Sequence, residues 1–287
     1  MIGYRLYAPN AVREGSARVP LLVALHGCTQ TAPDFAAGTR FDRLAERDGF
    51  VALYPEQSPL GNPQLCWNWF LPEHQARASG EPAEILALVE RIAGELPIDR
   101  SRIFVAGLSA GGAMAAILAE LAPEIFAAAG IVAGIPLYAA RDLAGAYAAM
   151  QGSTPRPAAV RPRRRLAHER LRATIWTGDD DRVVDPRNAE LLVEQFRALS
   201  GSEHGAPSRE LVAGSEVARW RDRAGRVRVE RWTVAGMGHA WSGGSFRGSH
   251  TFPPGPRASE AMVAFFLDRP AQSLAPGDEA AASNGEP

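Results

Sequence analysis

The 287 residues are 46% apolar and 22% charged with a formal net charge of −1, apolar enough to fill a sizeable core and excluding a disordered chain. All 31 basic residues are arginine, which removes every chemistry that needs a lysine amine, and they are spread along the chain apart from Arg161, Arg163, Arg164 and Arg165, which excludes a global basic footprint for nucleic acid. Gly, Pro, Arg or Glu cuts each apolar run short of the ~18 residues of a membrane span, so no membrane partner is expected, and nothing in the pattern sets an oligomeric state.

In chain order, an alternating strand begins at once over residues 4–8, with no basic and apolar leader before it. Strand 20–25, a helix over 35–47 and strand 49–54 follow, then a helix over 81–94, strand 102–106 and an Ala-rich helix over 110–121. After strand 128–133 the stretch 137–168 breaks the alternation. With Pro155, Pro157, Pro162 and the arginine run, it reads as a loop or cap-like excursion. Strand 173–177, a helix over 186–200, a hairpin over 216–234 turning at Asp222-Arg223-Ala224-Gly225 and a helix over 259–267 complete the series. Such alternation predicts an α/β fold, a mainly parallel sheet with helices on both faces, as one domain over 1–269. The tail 270–287, rich in Pro, Ala, Gly and acid, reads as disordered or a linker stub.

The segment Gly107-Leu108-Ser109-Ala110-Gly111 lies between an apolar β-branched run and a helical run. That strand-turn-helix context makes Gly-x-Ser-x-Gly a nucleophile elbow rather than a chance match. A serine needs a base and the base an orienting acid, in the order Ser, Asp or Glu, His. Among His168, His204, His239 and His250, His239 directly follows a strand; His250 is the reserve. Asp179, Asp180, Asp181 and Asp185 crowd the loop after strand 173–177. Asp185, before Pro186, reads as a helix cap, and of the other three Asp181 is favoured, with Asp180 next. Two oxyanion donors are expected, the Ala110 N–H at the start of its helix and the Cys28 N–H in the loop after strand 20–25. His26 reads as a buried, hydrogen-bonded strand-end histidine.

Together, His26-Gly27-Cys28-Thr29-Gln30, Leu53-Tyr54-Pro55-Glu56-Gln57, Cys66-Trp67-Asn68-Trp69-Phe70, Gly107-Leu108-Ser109-Ala110-Gly111-Gly112 and Gly236-Met237-Gly238-His239-Ala240-Trp241 resemble the poly(3-hydroxybutyrate) depolymerase family of esterases over residues 4–268. The resemblance implies an α/β-hydrolase fold and a serine esterase acting on short hydroxyalkanoate esters or polyesters. It places Ser109, Asp181 and His239 at the family's triad positions. Neither a metal nor an organic cofactor is implied. Cys28 and Cys66 follow successive strands at one edge of the sheet, which favours a disulfide over two buried thiols and so an extracellular or periplasmic setting, with a cytoplasmic one as its alternative. Trp67 and Trp69, with Trp241 beside His239, are assigned to a substrate groove, the aromatic loop having packed core as its alternative. A feruloyl or acetylxylan-type carbohydrate esterase is the second enzymatic reading, and a non-catalytic binding protein on a hydrolase scaffold is the reading from another class.

Overall fold

Apolar runs that predict buried parallel strands form the middle of the sheet in a computed structural model, which describes residues 2–15, 17–153, 170–200, 205–270 and 274. The strands are β1 (Gly3–Tyr7), β2 (Val19–Leu25), β3 (Val51–Glu56), β4 (Ile98–Leu108), β5 (Phe126–Val132), β6 (Arg172–Gly178), β7 (Ser208–Val212), β8 (Ser215–Arg221) and β9 (Val227–Val234). Among the described residues they make a nine-stranded sheet in the order β1-β3-β2-β4-β5-β6-β9-β8-β7. From β3 to β9 the neighbours are parallel. Antiparallel β1 closes one edge, and the antiparallel pair β8 and β7 closes the other. A separate parallel pair joins β10 (Trp241–Ser242) to β11 (Thr251–Phe252).

Side chains alternate between the two faces of the sheet. Leu21, Val23, Leu25, Val105, Ile131 and Ile175 enter one core. Leu22, Ala24, Phe104, Ala106, Val132 and Trp176 enter the other. The helices are α1 (Asn10–Glu14), α2 (Ala32–Thr39), α3 (Phe41–Asp48), α4 (Gly80–Glu95), α5 (Ala110–Leu121), α6 (Leu143–Met150), α7 (Arg187–Leu199) and α8 (Ala258–Phe266). Residues of α4, α5, α6 and α7 pack into the first core; those of α2, α3 and α8 pack into the second. Every residue of α5 is buried, which suits its Ala and Gly content: only small side chains let a helix lie this close to the sheet.

Three features depart from the sequence pattern. The helix expected over 35–47 is two helices, broken at Arg40 with φ 57°. The carbonyls that end α2 are taken from outside the helix: Gly38 O accepts from Ser245 N and Thr39 O from Ser259 Oγ. Strand β7 carries a mostly exposed polar sequence without alternation, so no apolar period announced it. The stretch expected as an excursion contains α6, capped by Asp142, whose carboxylate accepts from Gly145 N. Residues 154–168, with the arginine run and His168, lie outside the described residues, as do His204 and, apart from Pro270 and Leu274, the tail. The expected hairpin is present, its turn held by Asp222 Oδ1 accepting from Ala224 N and Arg226 N.

Candidate active site

Strand β4 ends at Leu108 and α5 begins at Ala110, which leaves Ser109 alone to make the turn. It does so at φ 57° and ψ −119°, a conformation that costs a non-glycine residue free energy and is held only because the surroundings over-determine it. Ser109 N donates to Val132 O at 2.8 Å on the neighbouring strand. The flanking glycines are steric necessities: a Cβ on Gly107 would lie 2.3 Å from Gly111 O, and one on Gly111 would lie 2.2 Å from Leu25 O.

The loop after β6 separates its aspartates by environment. Asp179 Oδ1 accepts from Gly236 N at 2.7 Å, and Asp180 pairs with Arg182 at the surface. Asp181 turns inward: Oδ1 accepts from Val183 N and Val184 N, both at 2.9 Å, and Oδ2 lies 2.8 Å from His239 Nδ1. Its side chain is inaccessible to solvent. With Asp181 acting only as an acceptor, Nδ1 carries the proton, which leaves Nε2 with a lone pair for a base's work. Asp185 holds the start of α7, accepting from Arg187 N at 2.8 Å. His250 stands elsewhere, with Nε2 3.3 Å from Thr29 Oγ1 on an exposed loop.

Cys28 and Cys66 are joined in a disulfide. The amides on either side of Cys28 are already engaged, Gly27 N with Gln30 Oε1 and Thr29 N with Gln64 O. Ala110 opens α5, where a helix leaves its first N–H groups without intrahelical partners and carries its positive end. Cys28, Ser109 and Ala110 face one cavity of about 170 Å³, walled by the Cys66, Trp69 and Phe70 loop on one side and by α6 on the other. Val184, whose amide donates to Asp181, lines the same cavity and links it to the acid loop.

Two of the expected groove tryptophans are core instead. Trp67 is fully buried, donating from Nε1 to His26 O, and Trp241 is 1% exposed, edge-on to Phe35 and Phe41 with Nε1 donating to Ser259 Oγ. Each indole N–H needs a partner once buried and finds it inside, which turns the ring away from the cavity. Of the three, Trp69 lines it. His26 is buried as expected, donating from Nδ1 to Gly27 O while Nε2 accepts from Gln57 N. Burial lowers its pKa below the usual histidine range, against the opposing pull of the Gly27 hydrogen bond.

Sequence reasoning missed the α6 wall, which contributes Leu143, Ala146, Tyr147 and Met150. Their i, i+3, i+4, i+7 spacing was a readable signal. It also missed the buried Glu81, since an acidic residue in the first turn of a helix reads as an ordinary exposed one.

The model of the family described as Esterase PHB depolymerase matches residues 2–217. Poly(3-hydroxyalkanoate) depolymerase C of Paucimonas lemoignei is 34% identical over 229 residues, covering 78% of this chain and 55% of that protein. Poly(3-hydroxybutyrate) depolymerase of Ralstonia pickettii is 27% identical over 85% of this chain and 52% of its own length. The chain thus spans about half the length of these two relatives. Feruloyl esterase B of Neurospora crassa is 30% identical over 69% of this chain and 70% of that protein. Among solved structures, an acetyl xylan esterase from Aspergillus awamori shares the α/β-hydrolase fold at a TM-score of 0.69, with 24% identity and coverage of 83% of this chain and 89% of that one. With three quarters of its length matched by the family model, this chain belongs to the Esterase PHB depolymerase family.

Proposed function

We infer that the chain is a serine esterase whose substrates are short hydroxyalkanoate esters or the corresponding polyesters. The observation that carries this reading is His239 Nδ1 held at 2.8 Å by the buried Asp181, which sits on the loop whose Val184 lines the same cavity as Ser109. In the proposed reaction Ser109 Oγ attacks the ester carbonyl carbon while His239 Nε2 takes its proton. Asp181 holds the imidazolium that forms, and the Cys28 and Ala110 amides receive the negative charge on the carbonyl oxygen. The C–O bond to the alcohol then breaks, the alcohol leaves with the proton from His239, and an acyl-Ser109 ester remains. Water, activated by His239, releases the acid and restores the serine.

Apolar lining from Phe70, Ile135, Leu143, Met150 and Val184 suits an aliphatic acyl group. The relatedness to feruloyl esterase B supports the second reading, in which a carbohydrate carries the ester. The disulfide supports an oxidising compartment, extracellular or periplasmic. No helix among the described residues is long and apolar enough to cross a membrane.

The test is a panel of p-nitrophenyl acyl esters, 3-hydroxybutyrate oligomers, polymer film and feruloyl and acetyl sugar esters, with fluorophosphonate labelling of Ser109. Turnover of hydroxybutyrate oligomers above the sugar esters is expected. Labelling with turnover confined to sugar esters would transfer the assignment to a carbohydrate esterase. Neither labelling nor turnover would leave a binding protein on a hydrolase scaffold.

A further inference from the structure

Glu81, the second residue of α4, is 7% exposed, and its hydrogen bonds go to neither Ser109 nor His239. Its carboxylate is nonetheless saturated. Oε1 accepts from Gln57 Nε2 at 2.5 Å and from Asn68 Nδ2 at 2.7 Å, and Oε2 accepts from Asn68 N at 2.8 Å. A carboxylate has about four lone-pair sites where an amide oxygen has two, so glutamine could not satisfy the same three donors. Burying a carboxylate forfeits hydration, offset only in part by those bonds and by the positive end of α4; burial accordingly pushes the Glu81 carboxyl up in pKa. His74 lies beside it, with Nδ1 2.9 Å from Glu81 N and 3.6 Å from Oε2. A buried carboxylate that glutamine cannot replace invites a reason.

The reason lies in what its partners hold. The same Gln57 Nε2 that reaches Glu81 also donates to Cys66 O at 3.0 Å, and Gln57 N donates to His26 Nε2 at 3.1 Å. Between Asn68 and Cys66 stands Trp67, whose indole donates to His26 O at 3.0 Å. Glu81 therefore fixes both chain segments that carry the cysteines: the loop after β2, which presents the Cys28 amide, and the loop of Cys66, Trp69 and Phe70, which walls the cavity. The disulfide ties these loops at their side chains, while the Glu81 cluster ties them through backbone groups.

We propose that Glu81 is a positioning residue for the oxyanion site, holding the Cys28 amide through Gln57, His26 and the 66–68 loop in parallel with the disulfide. This rests on the esterase reading above. A donor that acts on charge developing in the transition state loses its value when it is free to move, so the consequence falls on kcat rather than on KM.

The experiment uses the full chain and Glu81→Gln, with active sites counted by fluorophosphonate titration so that folded molecules alone are compared. On p-nitrophenyl butyrate, kcat per titrated site is expected to fall by about tenfold with KM changed by less than about twofold. Affinity for an alkyl boronic acid, which forms a tetrahedral anionic adduct on the serine, should fall by the same factor. Hydrogen exchange should rise in peptides covering 26–30 and 64–70 but not in the strands. Combining Glu81→Gln with Cys28→Ala and Cys66→Ala should cost more than the product of the separate losses, since each clamp covers for the other. Gln57→Ala cuts the link to Cys66 but leaves Glu81 its bonds to Asn68, and it gives the same split should Glu81→Gln not fold. Unchanged exchange in the two loops, or faster exchange with kcat intact, would overturn the proposal. A wild type that turns over no ester would overturn the esterase reading itself, in a control that carries no substitution.

Discussion

Asp179, Asp180 and Asp181 leave β6 with the same side chain and end in three different chemistries. Asp179 and Asp180 spend their carboxylates on a loop amide and a surface arginine, whereas both oxygens of Asp181 are engaged inside. Asp181→Asn keeps the acceptor for the Val183 and Val184 amides but cannot hold Nδ1–H of His239, so the imidazole can adopt the wrong tautomer. We expect kcat to fall on the order of 10⁴-fold. Asp179→Asn retains an oxygen for Gly236 N, and Asp180→Asn loses one exposed pair, so both should stay within about threefold of wild type. Equal losses across the three, measured on one ester, would contradict this assignment.

A second prediction at this scale concerns His26. Its neutral form suits the site, since Nε2 must accept from Gln57 N–H and Nδ1–H is spent on Gly27 O. With the folded pKa lowered by burial from the ordinary 6.5, the unfolded chain binds a proton below that pH and the folded chain does not. Stability is therefore lost as pH falls from 6.5 toward the lowered folded value. Glu81, raised by burial, works in the opposite sense at acid pH, so the informative comparison is between variants. Between about pH 7 and about pH 5, Tm should fall further in wild type than in His26→Gln.

At the scale of elements, α6 forms one wall of the cavity that Ser109 faces. Its end is anchored to the acid loop: Met150 O accepts from Asp185 N at 2.8 Å and Ala149 O from Asn188 Nδ2 at 3.0 Å. Its other side offers Leu143 and Tyr147, both mostly solvent-exposed, to the cavity mouth. Met150→Trp adds volume inside about 170 Å³ without touching the proposed triad. We expect hexanoyl ester turnover to fall about tenfold relative to acetyl ester turnover, a discrimination of the size one or two methylenes command in an apolar pocket. A parallel loss on both esters would show instead that the substitution disturbs the acid loop. What the sequence made legible here follows from periodicity. Strands buried on both faces and the Gly-framed serine turn carry their signal in consecutive residues, as does the histidine after the last parallel strand. The break at Arg40 does not, because the helix-end carbonyls accept from Ser245 N and Ser259 Oγ, more than 200 positions away. The burial of Trp67 and Trp241 was equally unreadable, since it depends on partners for their N–H groups supplied by distant segments.

For the molecule as a whole, the Cys28–Cys66 bridge closes a stretch of 38 residues that contains α2, α3 and β3. Closing a loop of that size removes disorder from the unfolded chain, stabilising the fold by on the order of 3–4 kcal/mol in the chain-entropy account. For a chain this long each kcal/mol is worth roughly 2–4 °C in midpoint, so reduction under native conditions should lower Tm on the order of 10 °C. The bridge also lies against the cavity, with both cysteines in its wall. Reduction should therefore lower kcat as well. The Glu81 cluster still holds the same loops by their backbones, so the loss in kcat should be partial, a few-fold rather than the ~10²-fold of a deleted oxyanion donor. Cys28→Ala leaves the residue-28 amide in place and should match the reduced protein in both Tm and kcat. Intact-mass analysis after alkylation in denaturant supplies the baseline: protein never exposed to reductant should take up no label, and protein reduced first should take up two. Label on both cysteines without reduction would remove the bridge from the account of stability and, with it, the argument for an oxidising compartment.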